Sequence, residues 1–281
     1  MNSNMKDINI WDFLKYSILA IISFIVLLPF VSVSITAFKT VEEYNSTNVM
    51  TLPENLLYFG NFVTAWQRAS MARSFLNTGI VLVFVLTGSI MISAMLAFVL
   101  NRIRFPGNTV LRNLFLFASL IPGVAMQVTV YQIMYSLHLI NSLGGYIVLL
   151  MGSDVISIYV FLQFFSNLPV SLDESAILDG CSLFGVFFKI LLPLTQPAII
   201  TCMILKGVST YNEYYMANLY LQDKNILGVV STSLYKFTGP MGNQYNYICA
   251  GVIITIIPAL IVFILCQKRI YNGLAQGAVK G

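Results

Sequence analysis

Polar residues interrupt this chain so rarely that its apolar stretches can be read off directly, at 16–38, 75–100, 111–136, 145–165, 198–219 and 247–266. A bilayer core about 30 Å thick is crossed by about 20 predominantly apolar residues in helical conformation. Each stretch is of that order, and the first carries no acid or base other than Tyr16. The pattern predicts an all-α polytopic membrane protein with six transmembrane helices. The first stretch is longer than the roughly 7–15 residue apolar core of a secretory leader. The "SITAFKT" at its end offers no small-x-small cleavage site, so it is read as a retained span.

Between the fourth and fifth stretches stands a segment of different character, "DESAILDGCSLFGVFFKILLPLTQP", residues 173–197. Ser171 and Glu174 have the S-x-x-E spacing of a capping box, in which hydroxyl and carboxylate each accept from an otherwise unpaired backbone N–H. Asp173 and Glu174 also complement the positive end of a helix dipole. Gly180 is suited to the left-handed conformation that ends a helix, which makes the first helix about eight residues, or about 12 Å, long. A second helix is predicted from Ser182, with Phe184, Phe187, Phe188 and Leu191 spaced as one apolar stripe. Pro193 and Pro197 then break the chain twice before the fifth span. The segment reads as an L-shaped pair, a short acidic helix braced by an amphipathic one. A plain connector between two helices needs only about 2–8 residues, so this one is built to touch a partner.

Composition agrees with the pattern. Of 281 residues, 58% are hydrophobic and 9% charged, against about 45–50% and about 25% in soluble domains, which excludes a water-soluble globule. Cys181, Cys202, Cys249 and Cys266 lie in or beside apolar segments without paired or zinc-like spacing, so they are read as small buried hydrophobes. Lys and Arg set the expected orientation, because cytoplasmic loops are enriched in them. An internal N-terminus puts Lys6, Lys15, Arg102, Arg104, Arg112, Lys189, Lys268, Arg269 and Lys280 inside and Lys39, Arg68, Arg73, Lys224 and Lys236 outside, with Lys206 within a span. Both termini are thus expected in the cytoplasm. The formal net charge of +4 is this membrane bias and implies no nucleic acid.

Glu174-Ser175-Ala176, then Gly180, then nine residues, then Ile190-x-Leu192-Pro193 resembles the cytoplasmic EAA loop of ABC importer permeases, E-A-A-x-x-x-G-x9-I-x-L-P. Ser175 departs from the usual Ala but is also small. "LLPFVSVSITAFKT", "RSFLNTGIVLV", "AFVLNRIRFPG", "YNEYYMANL" and "GLAQGAVKG" are similar to the smaller permease of maltose-type carbohydrate importers, and together they cover nearly the whole chain. The resemblance implies a type I ABC importer permease fold in a bacterial cytoplasmic (inner) membrane. It implies a cytoplasmic N-terminus at 1–13, a first transmembrane helix at 14–38, an extracellular loop at 39–73, and a five-helix core at 74–267 containing the coupling loop 168–197. A cytoplasmic tail follows at 268–281. The implied partners are a second homologous permease, two ATP-binding cassette subunits and an extracellular solute-binding protein. On that resemblance Glu174, Ser175, Ala176, Asp179, Gly180, Ile190, Leu192 and Pro193 couple to the ATPase, and Gly273, Gln276 and Gly277 of the tail contact it. The chain itself is expected to hold no cofactor, ATP and Mg²⁺ belonging to the partner subunits. Consistently, the nearest thing to a P-loop, "GCSLFGVF", has Val186 and Phe187 where G-x-x-x-x-G-K-[ST] requires Lys and Ser/Thr.

Polar residues within spans are functional candidates by default. Gln127 and Tyr131 share a face after the Pro122-Gly123 kink signal, and Tyr211, Asn212 and Glu213 cluster near the outer end of span five. Two readings stand open for these five: lining a sugar path, or interhelical hydrogen bonding worth about 0.6 kcal/mol each. Lys206 is expected to pair with Asp154. His138 is read as a loop residue and no metal site is expected, since it is the only histidine and has no neighbouring ligand pair. The expected function is therefore a permease subunit for a carbohydrate, with a non-sugar ABC permease or an ion-coupled secondary transporter as alternatives. The latter would show inverted repeats, and no convincing half-to-half similarity is seen. An intramembrane enzyme would need a nucleophile with its base or a metal cluster, which one histidine and scattered carboxylates do not supply.

Overall fold

The structure is a computed structural model. It describes residues 10–152, 154–239 and 244–278, with side chains from Trp11 to Gln267. Every regular element among the described residues is helical. Two compact units divide the chain, Met1–Ala69 with Leu234–Ala259, and Ser70–Ser233 with Leu260–Gly281.

In the first unit, α1 (Ile10–Ala37) runs 28 residues, about 42 Å at the helical rise. It tolerates Pro29 within it, and its apolar side chains face outward along most of its length. Then follow α2 (Val41–Ser46) and α3 (Gly60–Arg68). The capping box expected at Ser171 and Glu174 forms instead at the start of α2, where Thr40 and Glu43 exchange both bonds, at 3.2 and 2.7 Å. Lys39 is fully buried beside it, and its ammonium donates to Thr47 Oγ1 (2.9 Å) and the Asn48 carbonyl (2.6 Å). Glu43 also accepts from the Glu54 N–H, and these backbone bonds hold its carboxyl below the ordinary value. Asn61 ties the loop to its flanks, donating to the Ala37 and Lys39 carbonyls and accepting from Asn246.

In the second unit, α4 (Met71–Arg102) is the hub. It packs against α7 (Leu143–Met151), α8 (Val155–Asn167) and α12 (Gln196–Tyr211). Ser89, Ser93, Ala94 and Ala97 are buried along α4, and small residues let helix backbones approach closely where lipid offers no hydrophobic drive. A Cβ added at Gly88 would collide with Met151. Between these elements lie α5 (Asn108–Leu120), a 3-10 turn at Gly123–Met126 and α6 (Gln127–Ser136). After α8 come α9 (Ser171–Leu178), then α10 (Leu183–Gly185), a π-helical turn (Val186–Leu191) and α11 (Leu192–Leu194) in one continuous stretch. α13 (Tyr215–Tyr220) and a 3-10 helix (Val230–Phe237) follow, and α14 (Tyr245–Ala278) closes the chain.

Among the described residues, three helices are long and apolar enough to cross a membrane, or up to six if each bent pair is one span. The third apolar stretch bends 92° at the Ile121-Pro122 break, where proline removes a ladder hydrogen bond, and the fourth bends 46° between Met151 and Val155. The fifth differs from expectation. α12 ends at Tyr211, eight residues before 219, and the helical stretch before it meets it at 76°. The chain breaks once here, at Thr195, and not twice: Pro193 lies within α11, and Pro197 takes a place in the first turn of α12, where its missing N–H leaves no helical bond unmade. Within the 268–281 tail, α14 carries helical backbone through Ala278. The side chains of Gly273, Gln276 and Gly277, and all of 279–281, lie outside what is described.

Candidate functional site

The elbow between α8 and α12 is assembled from local signals and one distant contact. Pro169 and Val170 start α9 a residue earlier than a Ser171 cap requires: Val170 is already helical and its carbonyl accepts from Asp173 and Glu174 N–H. Ser171 is therefore inside the helix and makes no cap. Gly180 ends α9 at φ +85°, and a Cβ added there would meet nothing within 4 Å beyond its chain neighbours, so the backbone angle and not crowding calls for glycine. The Cys181 N–H returns to the Ala176 carbonyl and the Gly180 N–H to Ile177, a paired C-terminal closure of the kind glycine permits. Ser182 then caps the next helix by accepting from the Gly185 N–H at 3.2 Å.

α9 has two faces. Asp173 and Ala176 turn inward at 8% and 5% exposure, Ala176 joining the cluster of Phe98, Phe165 and Phe187. Glu174, Ser175, Ile177, Leu178 and Asp179 are exposed, Leu178 at 88%. Of the expected contact residues, Ala176 alone thus sits on the opposite face, where its small side chain lets α9 settle on the bundle. The second helix holds its place through Val186, Phe187 and Leu191, all buried, with Ile190 and Leu192 half-buried against the same cluster and Pro193 exposed. The expected stripe is split, since Phe184 and Phe188 face outward. The π turn explains this: its wider spacing places Val186 and Leu191, five apart, on one side.

Arg102, at the end of α4, reaches the elbow. Its Nε lies 2.7 Å from Asp173 Oδ2, with both side chains about nine-tenths buried (10% and 11% exposed). Its Nη1 and Nη2 donate to Asn101 Oδ1 (3.1 Å) and the Leu168 carbonyl (3.0 Å), and Asn101 donates to Ser166 Oγ (2.8 Å). Burial pushes the Asp173 carboxyl above its ordinary value, and the Arg102 charge only partly offsets that rise. No local pattern links Arg102 to Asp173. The one signal was a cation at a helix end, within "AFVLNRIRFPG", and a carboxylate on the elbow.

A second polar cluster lies around Tyr220. Gln127 and Tyr131 come together through Tyr220, which bonds the first and packs its ring on the second, while Gln222 bonds Tyr131 alone; the sequence pattern signalled neither residue. Gln127 Oε1 accepts from the Tyr220 hydroxyl (3.3 Å), and Gln222 Nε2 donates to the Tyr131 hydroxyl (3.2 Å). The two tyrosine rings are 5.6 Å apart. Asn141, at positive φ, accepts from the Gln222 and Asp223 N–H groups and pins the turn. Asn212 and Glu213 play a different part. Asn212 donates back to Val208, Glu213 Oε1 accepts from the Met216 N–H, and neither bonds to Gln127 or Tyr131; Tyr211 is the last residue of α12. The expected ion pair of Lys206 with Asp154 does not form; Asp154 accepts from Ser157 Oγ at 2.7 Å. His138 lies in the turn after α6 at φ +55°, and the described residues contain no metal-competent cluster.

Residues 89–278 match the sequence family of binding-protein-dependent transport system inner membrane components. The chain belongs to this family. Among curated relatives, a probable ABC transporter permease of Bacillus subtilis (strain 168) is 30% identical over 98% of this chain and 89% of its own length. A polygalacturonan/rhamnogalacturonan transport system permease of the same strain is 30% identical over 99% and 100%. A probable starch degradation products transport system permease of Thermoanaerobacterium thermosulfurigenes is 27% identical over 98% and 100%. A chain of a bacterial ABC transporter that imports the acidic polysaccharide alginate superimposes with a TM-score of 0.79 over 95% of this chain and 99% of that one, at 19% identity, so it shares the fold. Family membership makes this chain a transport component and not an enzyme. The elbow, which includes α9, falls inside the matched region.

Proposed function

We propose that the chain is the membrane-spanning subunit of an ATP-driven importer of an oligosaccharide, and that α9 is its coupling helix. The observation that carries the reading is the exposed face of α9, where Glu174, Ser175 and Asp179 stand beside Ile177 and Leu178, and none of the described residues covers the apolar pair. The relatives named for starch degradation products and for polygalacturonan/rhamnogalacturonan support a carbohydrate cargo. On this reading both termini and the elbow face the cytoplasm, and two ATPase subunits carry ATP and Mg²⁺. A second permease completes the pathway, and a solute-binding protein delivers the sugar from outside. ATP binding draws the ATPase subunits together and carries α9 with them, rocking the spans from inward-open to outward-open. The two arrangements must lie close in free energy for nucleotide and binding protein to shift the population. Glu174 and Asp179 supply charge for basic groups of the ATPase groove, and Gly273, Gln276 and Gly277 reach the ATPase from the end of α14.

Cross-linking tests this reading. A cysteine at Ser175, in a chain with its four native cysteines removed, should be captured by an ATPase subunit in membrane vesicles, and co-expression with the partner subunits should confer uptake of maltotriose, arabinotriose or raffinose. Absence of any ATPase adduct would sink the coupling role. An adduct with uptake of none of the sugars would leave an ABC permease for another solute. Truncation after Tyr271 should abolish substrate-stimulated ATP hydrolysis, and unchanged hydrolysis would return 272–281 to a passive end.

A further inference from the structure

The chain offers two covalent routes by which α9 can move the spans, the Leu168-Pro169-Val170 link to α8 and the Gly180 turn to the second elbow helix. Both run through short non-helical joints, and neither leads directly to α4, the helix that packs on α7, α8 and α12. The Arg102–Asp173 contact supplies that missing connection. We propose that Arg102 and Asp173 are positioning residues that lock the end of α4 to α9, so that a displacement of α9 is delivered at once to the hub of the bundle. This rests on α9 being the coupling helix.

Three features suit the pair to that work. Both side chains are about nine-tenths buried, and burial weakens solvent screening of the attraction. The guanidinium is held on its other side by Asn101 and Leu168, so it is fixed to the ends of α4 and α8 before it meets the carboxylate. The contact is also tolerant. Asp173 Oδ1 is buried with no hydrogen-bond partner, and Arg102 Nε meets Oδ2 without a directed hydrogen bond. The two groups can therefore change angle, exchanging one carboxylate oxygen for the other, and remain an ion pair. A pair serving stability alone has no need of a second oxygen left open, nor of a place on the helix whose outer face is exposed.

The test is carried out on the whole transporter, with spin labels on cysteines introduced at Ser171 and Arg104, both exposed, and the native cysteines replaced. With Arg102 and Asp173 intact, the distance between the labels should be the same before and after trapping with ATP and vanadate. In D173N the distance should broaden and shift on trapping while the ATPase still co-purifies. R102K, which keeps the cation, should stay locked, and R102D combined with D173R should restore the lock. A label distance that shifts on trapping in the intact protein, or stays locked in D173N, overturns the proposal. So does loss of assembly in both D173N and R102K, which would mark the pair as part of the folding core. The Ser175 cross-link, read in the same preparation, separates the two failures: an adduct with a shifting distance overturns only the lock, whereas no adduct overturns the coupling reading beneath it.

Discussion

The elbow and the Tyr220 cluster both bury polar side chains, but they do so with opposite electrostatics. At the elbow a full cation and a full anion face each other at 2.7 Å, each leaving an atom without a hydrogen bond. Around Tyr220, two amides and two phenols exchange neutral hydrogen bonds at 3.2–3.3 Å. Removing one partner of a buried ion pair strands a charge, whereas removing one partner of a neutral pair strands only a dipole. The elbow should therefore be brittle and the cluster forgiving.

The largest expected effect is at the pair itself. D173A leaves the Arg102 cation buried without a counter-charge, which should cost about 3–5 kcal/mol and be seen as a lowered thermal midpoint in detergent. A loss under 1 kcal/mol would show that water already solvates the guanidinium. Next comes G180V. A β-branched residue at φ +85° should cost about 1–2 kcal/mol in backbone strain. It should cut uptake more than tenfold by misaiming α9, with the protein still inserted; normal uptake would show the turn to be dispensable. Smaller again, Y220F removes one neutral hydrogen bond to Gln127 and should cost about 1 kcal/mol, and a loss as large as that of D173A would erase the contrast.

The smallest effect is in pH. Asp173 has a raised carboxyl because desolvation outweighs the pull of Arg102. A folded-state value above the unfolded one contributes stability that is fully present below the unfolded value and is lost as pH rises through the folded value. D173N should flatten that limb of the stability curve just above the ordinary carboxylate range. Y220F, in a cluster of amides and phenols, should leave it unchanged.

Much of the elbow was legible because its signals are local. Gly180 at positive φ, the Ser182 cap and the proline corner each depend on residues within one turn. The failures share a cause. The Ser171 capping box depends on where the chain enters α9, and Pro169 and Val170 begin the helix first. The apolar stripe assumed a 3.6 period that the π turn alters. Lys206 and Asp154 were paired by depth alone, whereas Ser157, three residues along the same helix, reaches the carboxylate first.

By itself the sequence determined the number and approximate places of the apolar segments, the helical class, and the acidic helix-glycine-helix device between the fourth and fifth, because each is written in composition and in spacings of a few residues. Only the tertiary structure decided which face of α9 is open, that Arg102 is the residue meeting Asp173, and that Tyr220 stands between Gln127 and Tyr131 while Gln222 bonds Tyr131. Those contacts join residues far apart along the chain, and their energies depend on burial, distance and angle, none of which a local pattern carries.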